Sequence, residues 1–278
     1  MSNPLFNEKR MEADRAGWAS PIVGQTVTDP SLPATGTPFN DGPVTPWQKG
    51  VMTVNGTITA TASLFILLLI SATFGWFASE GPTLENGQET YTFPGIAMVG
   101  IVVGFVAVIV SAFKPMWAKF LGPIYALCYG FAVGAISHGY ETFQNGIVIQ
   151  AAGATVAVVF AMLVLYRTRI IKVTDRFRRI VIGATMGIML LYLVSFAINI
   201  FGGDVAFLNS PSLLGIGFSL FVCGLAAMNL ALDFDLIERG SKEGMPKAYE
   251  WVAALGLVVT IVWLYLELLR LLSKLQQR

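Results

Sequence analysis

A few polar residues stand inside or at the edge of long apolar blocks, and in so apolar a chain these are the groups that could do chemistry. One stretch reads Asn229-Leu230-Ala231-Leu232-Asp233-Phe234-Asp235-Leu236-Ile237-Glu238-Arg239. Asn229 and Asp233 are four residues apart and share a helix face, while Asp235 points roughly the other way. Asp233 is therefore the carboxylate expected to face the inside of a bundle; the alternative is that all three acids are solvated at a helix end. An ionised group at membrane depth costs roughly 2.5–3.5 kcal/mol on insertion scales. Such a residue suits attracting or gating a cation. A second row, Ala253, Gly256, Thr260, Trp263, Glu267 and Arg270, recurs at three- and four-residue steps. That helix face is small at its start and polar further on, and it belongs inside a bundle. Glu267 and Arg270, three apart, are expected to neutralise each other. His138 beside Gly139 and Tyr140 could titrate, but a solvated histidine at the membrane interface is the expected state.

The same inventory excludes other chemistry. Hydrophobic residues make up 55% of the 278 and charged residues 13%, against ~25% charged in an ordinary soluble domain. The net charge of +1 carries no global basic field, so nucleic acid is not an expected partner. Cys128 and Cys223 both fall in apolar blocks, where a thiol behaves as a small apolar side chain, and with a single histidine a transition-metal centre lacks ligands. No nucleophile and base pair up in any block or loop. Neither an enzyme nor a resident cofactor is expected.

The elements that must position these residues are membrane helices. Apolar blocks cover roughly 52–78, 94–113, 120–138, 147–166, 180–201, 212–232 and 250–272, and ~20 helical residues cross a bilayer's hydrocarbon core. The expectation is an all-α integral membrane protein, a seven-helix transmembrane domain over 47–278, in contact with the lipid bilayer. Gly130 with Gly134, Gly183 with Gly187, and Gly256 with Thr260 place small residues four apart, a spacing that permits close helix packing. Ahead of this domain, residues 1–46 hold seven of the 13 prolines and no helical apolar period, which predicts a disordered tail. Acids near the start (Glu8, Glu12, Asp14) and the lack of an apolar core argue against a signal peptide. The connections at 79–93, 139–146 and 202–211 carry no Lys or Arg, whereas Lys114, Lys119, the run Arg167 to Arg179, and Arg239, Lys242 and Lys247 lie in the alternate ones. By the positive-inside rule the N-terminus is cytoplasmic in a plasma or bacterial inner membrane. Seven spans then put Arg270, Lys274 and Arg278 outside, against the same rule, unless the last span fails to cross.

Three stretches resemble the transmembrane Bax inhibitor motif family, in particular a bacterial branch with a long N-terminal tail. They are Pro123-Ile124-Tyr125-Ala126 followed by Gly130 and Gly134, Leu232-Asp233 with Ile237 four residues on, and Ala254-Leu255-Gly256-Leu257 through Trp263-Leu264-Tyr265 to Leu268-Leu269-Arg270. The resemblance covers residues from about 50 to the C-terminus. It implies a seven-helix bundle with the last helix central, and a pH-modulated calcium or cation leak, with Ca2+ as the transported ion. The alternative it leaves is a non-conducting regulator that binds another membrane protein such as a quality-control protease. In the family's leak mechanism two aspartates share a proton, since like charges at close range cannot both ionise. Asp233 falls on the first position and Thr260 on the second, where threonine cannot titrate. Asn229 and Glu267 complete the expected ion path, and Lys114, Lys119 and Arg270 are the candidate basic partners.

Overall fold

The computed structural model describes residues 50–79, 81, 83–85, 88–200 and 210–277. The tail expected over 1–46, and most of the connection at 202–211, lie outside the described residues.

Among the described residues, seven helices long and apolar enough to cross a membrane follow one another: α1 (Val54–Ala78), α2 (Gly95–Phe113), α3 (Ala118–Phe143), α4 (Ile147–Arg167), α5 (Asp175–Ile200), α6 (Leu213–Lys242) and α7 (Ala248–Gln276). Between α1 and α2 a small antiparallel hairpin pairs β1 (Thr83–Glu85) with β2 (Gln88–Thr90), an element the apolar pattern did not predict. A 3-10 turn at Pro115–Trp117 leads into α3.

Several boundaries differ from the sequence expectation, and α5 begins five residues early, at Asp175. α3 runs on to Phe143, and a turn of three residues suffices because Gly146 adopts a left-handed φ of +80°. The Glu141 carboxylate then accepts from Gly146 N at 2.6 Å and Val148 N at 3.1 Å, satisfying amides at the start of α4. α6 continues ten residues past 232, to Lys242, because its acids find basic partners instead of ending the helix. α7 is unbroken over 29 residues. Its start is tied to α1 by Glu250 and Thr53, and its end to the α3–α4 turn and the start of α6 by Gln144 and Lys274. The last helix therefore reaches from one end of the bundle to the other.

α7 packs against α1, α3, α4 and α6, while α2 lies on α3 and α5 on α6. In the membrane-length windows 56% of α7 is buried against 11% of α5, so α7 is the most enclosed helix and α5 an outer one. The main core joins Leu64 and Leu68 of α1, Tyr125 and Val133 of α3, and Leu255, Val258 and Val262 of α7. Apolar side chains on the outside, among them Phe77 and Phe113, face where the hydrocarbon lies.

α1 and α3 approach most closely. A Cβ added at Gly134 would overlap the carbonyl of Ala72, at Gly75 that of Phe131, and at Gly130 would come within 2.7 Å of the Leu68 oxygen. The expected close-packing role of Gly130 and Gly134 is met here. Gly183 and Gly187 have nothing within 4 Å of such a Cβ, so that pair lies at no helix contact.

Candidate functional site

α6 crosses α7 where the latter is smallest, and this crossing holds Asp233. A Cβ on Gly256 would lie 3.6 Å from Asp233 Oδ1, so the missing side chain at 256 makes room for the carboxyl group. Thr260, one turn further along the same face, donates its hydroxyl to the Gly256 carbonyl at 3.1 Å and sits beside Asp233. Its remaining lone pairs can accept from a protonated carboxyl group. Asp233 Oδ2 is buried and has no hydrogen-bond partner. A buried carboxylate oxygen without a donor is costly, and that sets Asp233 apart from the other acids described around it.

Asp235 is one of these, and it corrects the expectation that only Asp233 faces inward. The residue is 6% exposed and bridges two arginines, Arg178 of α5 at 2.7 Å and Arg239 one turn along α6 at 2.9 Å. Glu238 joins Arg169 at 2.7 Å and also Lys242 and the Tyr166 hydroxyl. Asp235 and Glu238 are therefore held in ion pairs. Glu250, at the start of α7, is 4% exposed and accepts from Thr53 N and Thr53 Oγ1, both at 2.9 Å.

Glu267 is 2% exposed, and Arg270 Nη1 meets it at 3.0 Å. Tyr192 of α5 closes the set: its hydroxyl donates to Glu267 at 2.9 Å and accepts from Arg270 at 2.8 Å, with the guanidinium over its ring. Glu267 is thus a neutralised structural pair, as its spacing suggested, with a tyrosine the spacing could not reveal. Arg270 stands fourteen residues past Gly256, about 21 Å along the helix, and is no partner for Asp233. Lys114 lies 4.7 Å over the Trp117 ring and Lys119 is exposed, and neither bonds to Asp233. Asn229 shares Asp233's row but turns to α5, donating to Thr185 Oγ1 at 2.8 Å as well as to its own helix at Leu225. Of the residues expected at the site, the structure brings together Asp233 and Thr260, and leaves Asn229, Glu267, Lys114, Lys119 and Arg270 elsewhere.

His138 also departs from expectation. Its ring is half-buried, edge-on to Trp76 at 5.1 Å and tilted against Tyr91 at 5.9 Å, and its Nδ1 is buried without a partner. Sequence reading placed it in solvent because the hairpin that carries Tyr91 over α3 was not foreseen. Lys274, 3% exposed, donates to the Gly215 carbonyl at 3.1 Å and to Ser219 Oγ at 2.8 Å. Its only sequence signal was a lysine in register with Arg270.

A family model described as Bax inhibitor 1 like matches residues 3–277. The match therefore extends to the start of the chain, well before the residue near 50 at which the motif resemblance begins. No curated protein matches the chain.

Proposed function

The chain belongs to the Bax inhibitor 1 like family, and we propose that within the membrane it acts as a pH-modulated leak for calcium or a similar cation, with Asp233 as the gating carboxylate. The observation that carries this reading is the unpartnered Oδ2 of Asp233 at the α6–α7 crossing. Asp235, Glu238 and Glu267 are held in ion pairs and Glu250 accepts from Thr53, whereas protonation at Asp233 Oδ2 displaces no hydrogen-bond donor. In the ionised form it offers an oxygen to a cation. In the protonated form it can donate to Thr260 and hold α6 against α7. The second family aspartate is Thr260 in this chain, so the proton is not shared between two acids, and the gate rests on one titrating group.

In this reading the N-terminus and the arginine-rich 167–179 connection are cytoplasmic, in the plasma or bacterial inner membrane. A second reading, a non-conducting regulator of another membrane protein, is favoured by a different observation. The cavity beside the crossing is lined mainly by apolar side chains from α1, α4 and α7, and hydroxyls among them, those of Thr57, Thr61 and Thr155, donate to carbonyls of their own helices. Purified protein in liposomes loaded with a calcium dye separates the two. Dye signal above empty liposomes supports the leak, and tight liposomes at every pH support the regulator.

A further inference from the structure

α1 and α4 flank a trench of about 1400 Å3 without packing on one another. Its floor is α7, at Leu257, Ile261 and Tyr265, with parts of α3 and α6. On α1 the lining runs from Val54 to Phe77, about 35 Å at 1.5 Å per residue, the full thickness of the hydrocarbon core. The walls are apolar, and the side chains at the lips, Ile58 at 59% and Val156 at 70% exposure, point where lipid lies. Entry is therefore lateral, from the bilayer. At one end only, the lining turns basic: Arg167 and Arg169 stand there with Tyr166 and Glu238. Arg169 is paired with Glu238, and Lys242 shares that same carboxylate. Arg167, exposed at the mouth, has no ion-pair partner among the described residues. One carboxylate against three cations leaves the mouth positive.

We propose that this trench is a binding site for an anionic glycerophospholipid, its acyl chains lying along α7 between α1 and α4 and its phosphate at Arg167 and Arg169. A guanidinium meets a phosphate through paired N–H donors, and the positive mouth is complementary to an acidic headgroup. A basic mouth at one end only, above an apolar trench, matches a molecule with one acidic head and apolar tails. The proposal stands apart from the leak, since it requires nothing of Asp233.

Native mass spectrometry of the full chain, released from micelles containing equal phosphatidylglycerol and phosphatidylcholine, tests it. The expected result is one retained lipid, with phosphatidylglycerol preferred by about tenfold, as basic residues near a headgroup provide. Arg167→Gln should bring that preference toward unity while leaving the melting temperature unchanged, because Arg167 holds no ion pair to lose. Val156→Trp, which fills the trench from its lip, should reduce retention of both lipids. Equal retention of the two lipids by the parent, or an unchanged preference in Arg167→Gln, overturns the proposal. A photoreactive residue at Val156 supplies an independent readout. A lipid-mass adduct supports the assignment, and a crosslink to a second copy or to another protein overturns it.

Discussion

Asp233 and Asp235 are two residues apart on one helix and have opposite surroundings. Asp235 lies between two guanidinium groups, and Asp233 has an oxygen with none. Removing the charge from Asp235 leaves Arg178 and Arg239 without their shared acceptor, and hydrogen bonds to charged groups contribute about 1.5–3 kcal/mol each before solvent exposure of the arginines is discounted. Asp235→Asn should therefore lower the melting temperature in detergent, whereas Asp233→Asn should leave it unchanged or raise it, since it removes a buried, unpaired charge and its amide can donate to Thr260. A thermal melt of the two variants checks the contrast. Glu250→Ala belongs with the first: it strips Thr53 N and Oγ1 of their acceptor, and a loss of about 1–3 kcal/mol is expected. The depth of Asp233 was legible from its spacing to Asn229 and from the small residues of the facing helix. Asp235's burial was not, because period alone cannot say that Arg178, 57 residues away, reaches it. The i,i+4 pairs Asp235 with Arg239 and Glu238 with Lys242 were readable, and they would have extended α6 past 232.

At the scale of elements, the α1–α3 contact is the tightest in the bundle and it depends on glycine. Gly134→Leu would drive a side chain into the Ala72 backbone, where no flexible atom can give way, and overpacking of this kind costs about 1–3 kcal/mol or more. The matching change Gly183→Leu meets open space and should be neutral or slightly stabilising through helix propensity. The yield of monodisperse protein and the melting temperature of the pair check this. Both pairs looked alike in sequence, since four-residue spacing shows that a close approach is permitted and not that a neighbour is there. The seven helices themselves were legible from hydropathy, because backbone groups in hydrocarbon must bond within their own segment. The hairpin Thr83–Thr90 was not, and with it the aromatic surroundings of His138 were missed.

At the scale of the molecule, α7 links the sites. Glu250 ties its start to α1, Asp233 faces its narrow stretch, and Glu267 and Arg270 bind α5 through Tyr192. α7 is therefore held to α1 at its start and to α5 nearer its end, with Asp233 against the stretch in between. Reporters fused in 79–93 and 202–211 should read outside and one in 167–179 inside, because the basic connections alternate; a cytoplasmic signal from 79–93 would reverse the orientation. Calcium flux into dye-loaded liposomes over a pH series, with parent protein and Asp233→Asn side by side, decides whether Asp233 is the gate. A gate at Asp233 gives a flux that varies with pH in the parent and a flat profile in the variant, and coincident, pH-dependent profiles from the two would exclude it.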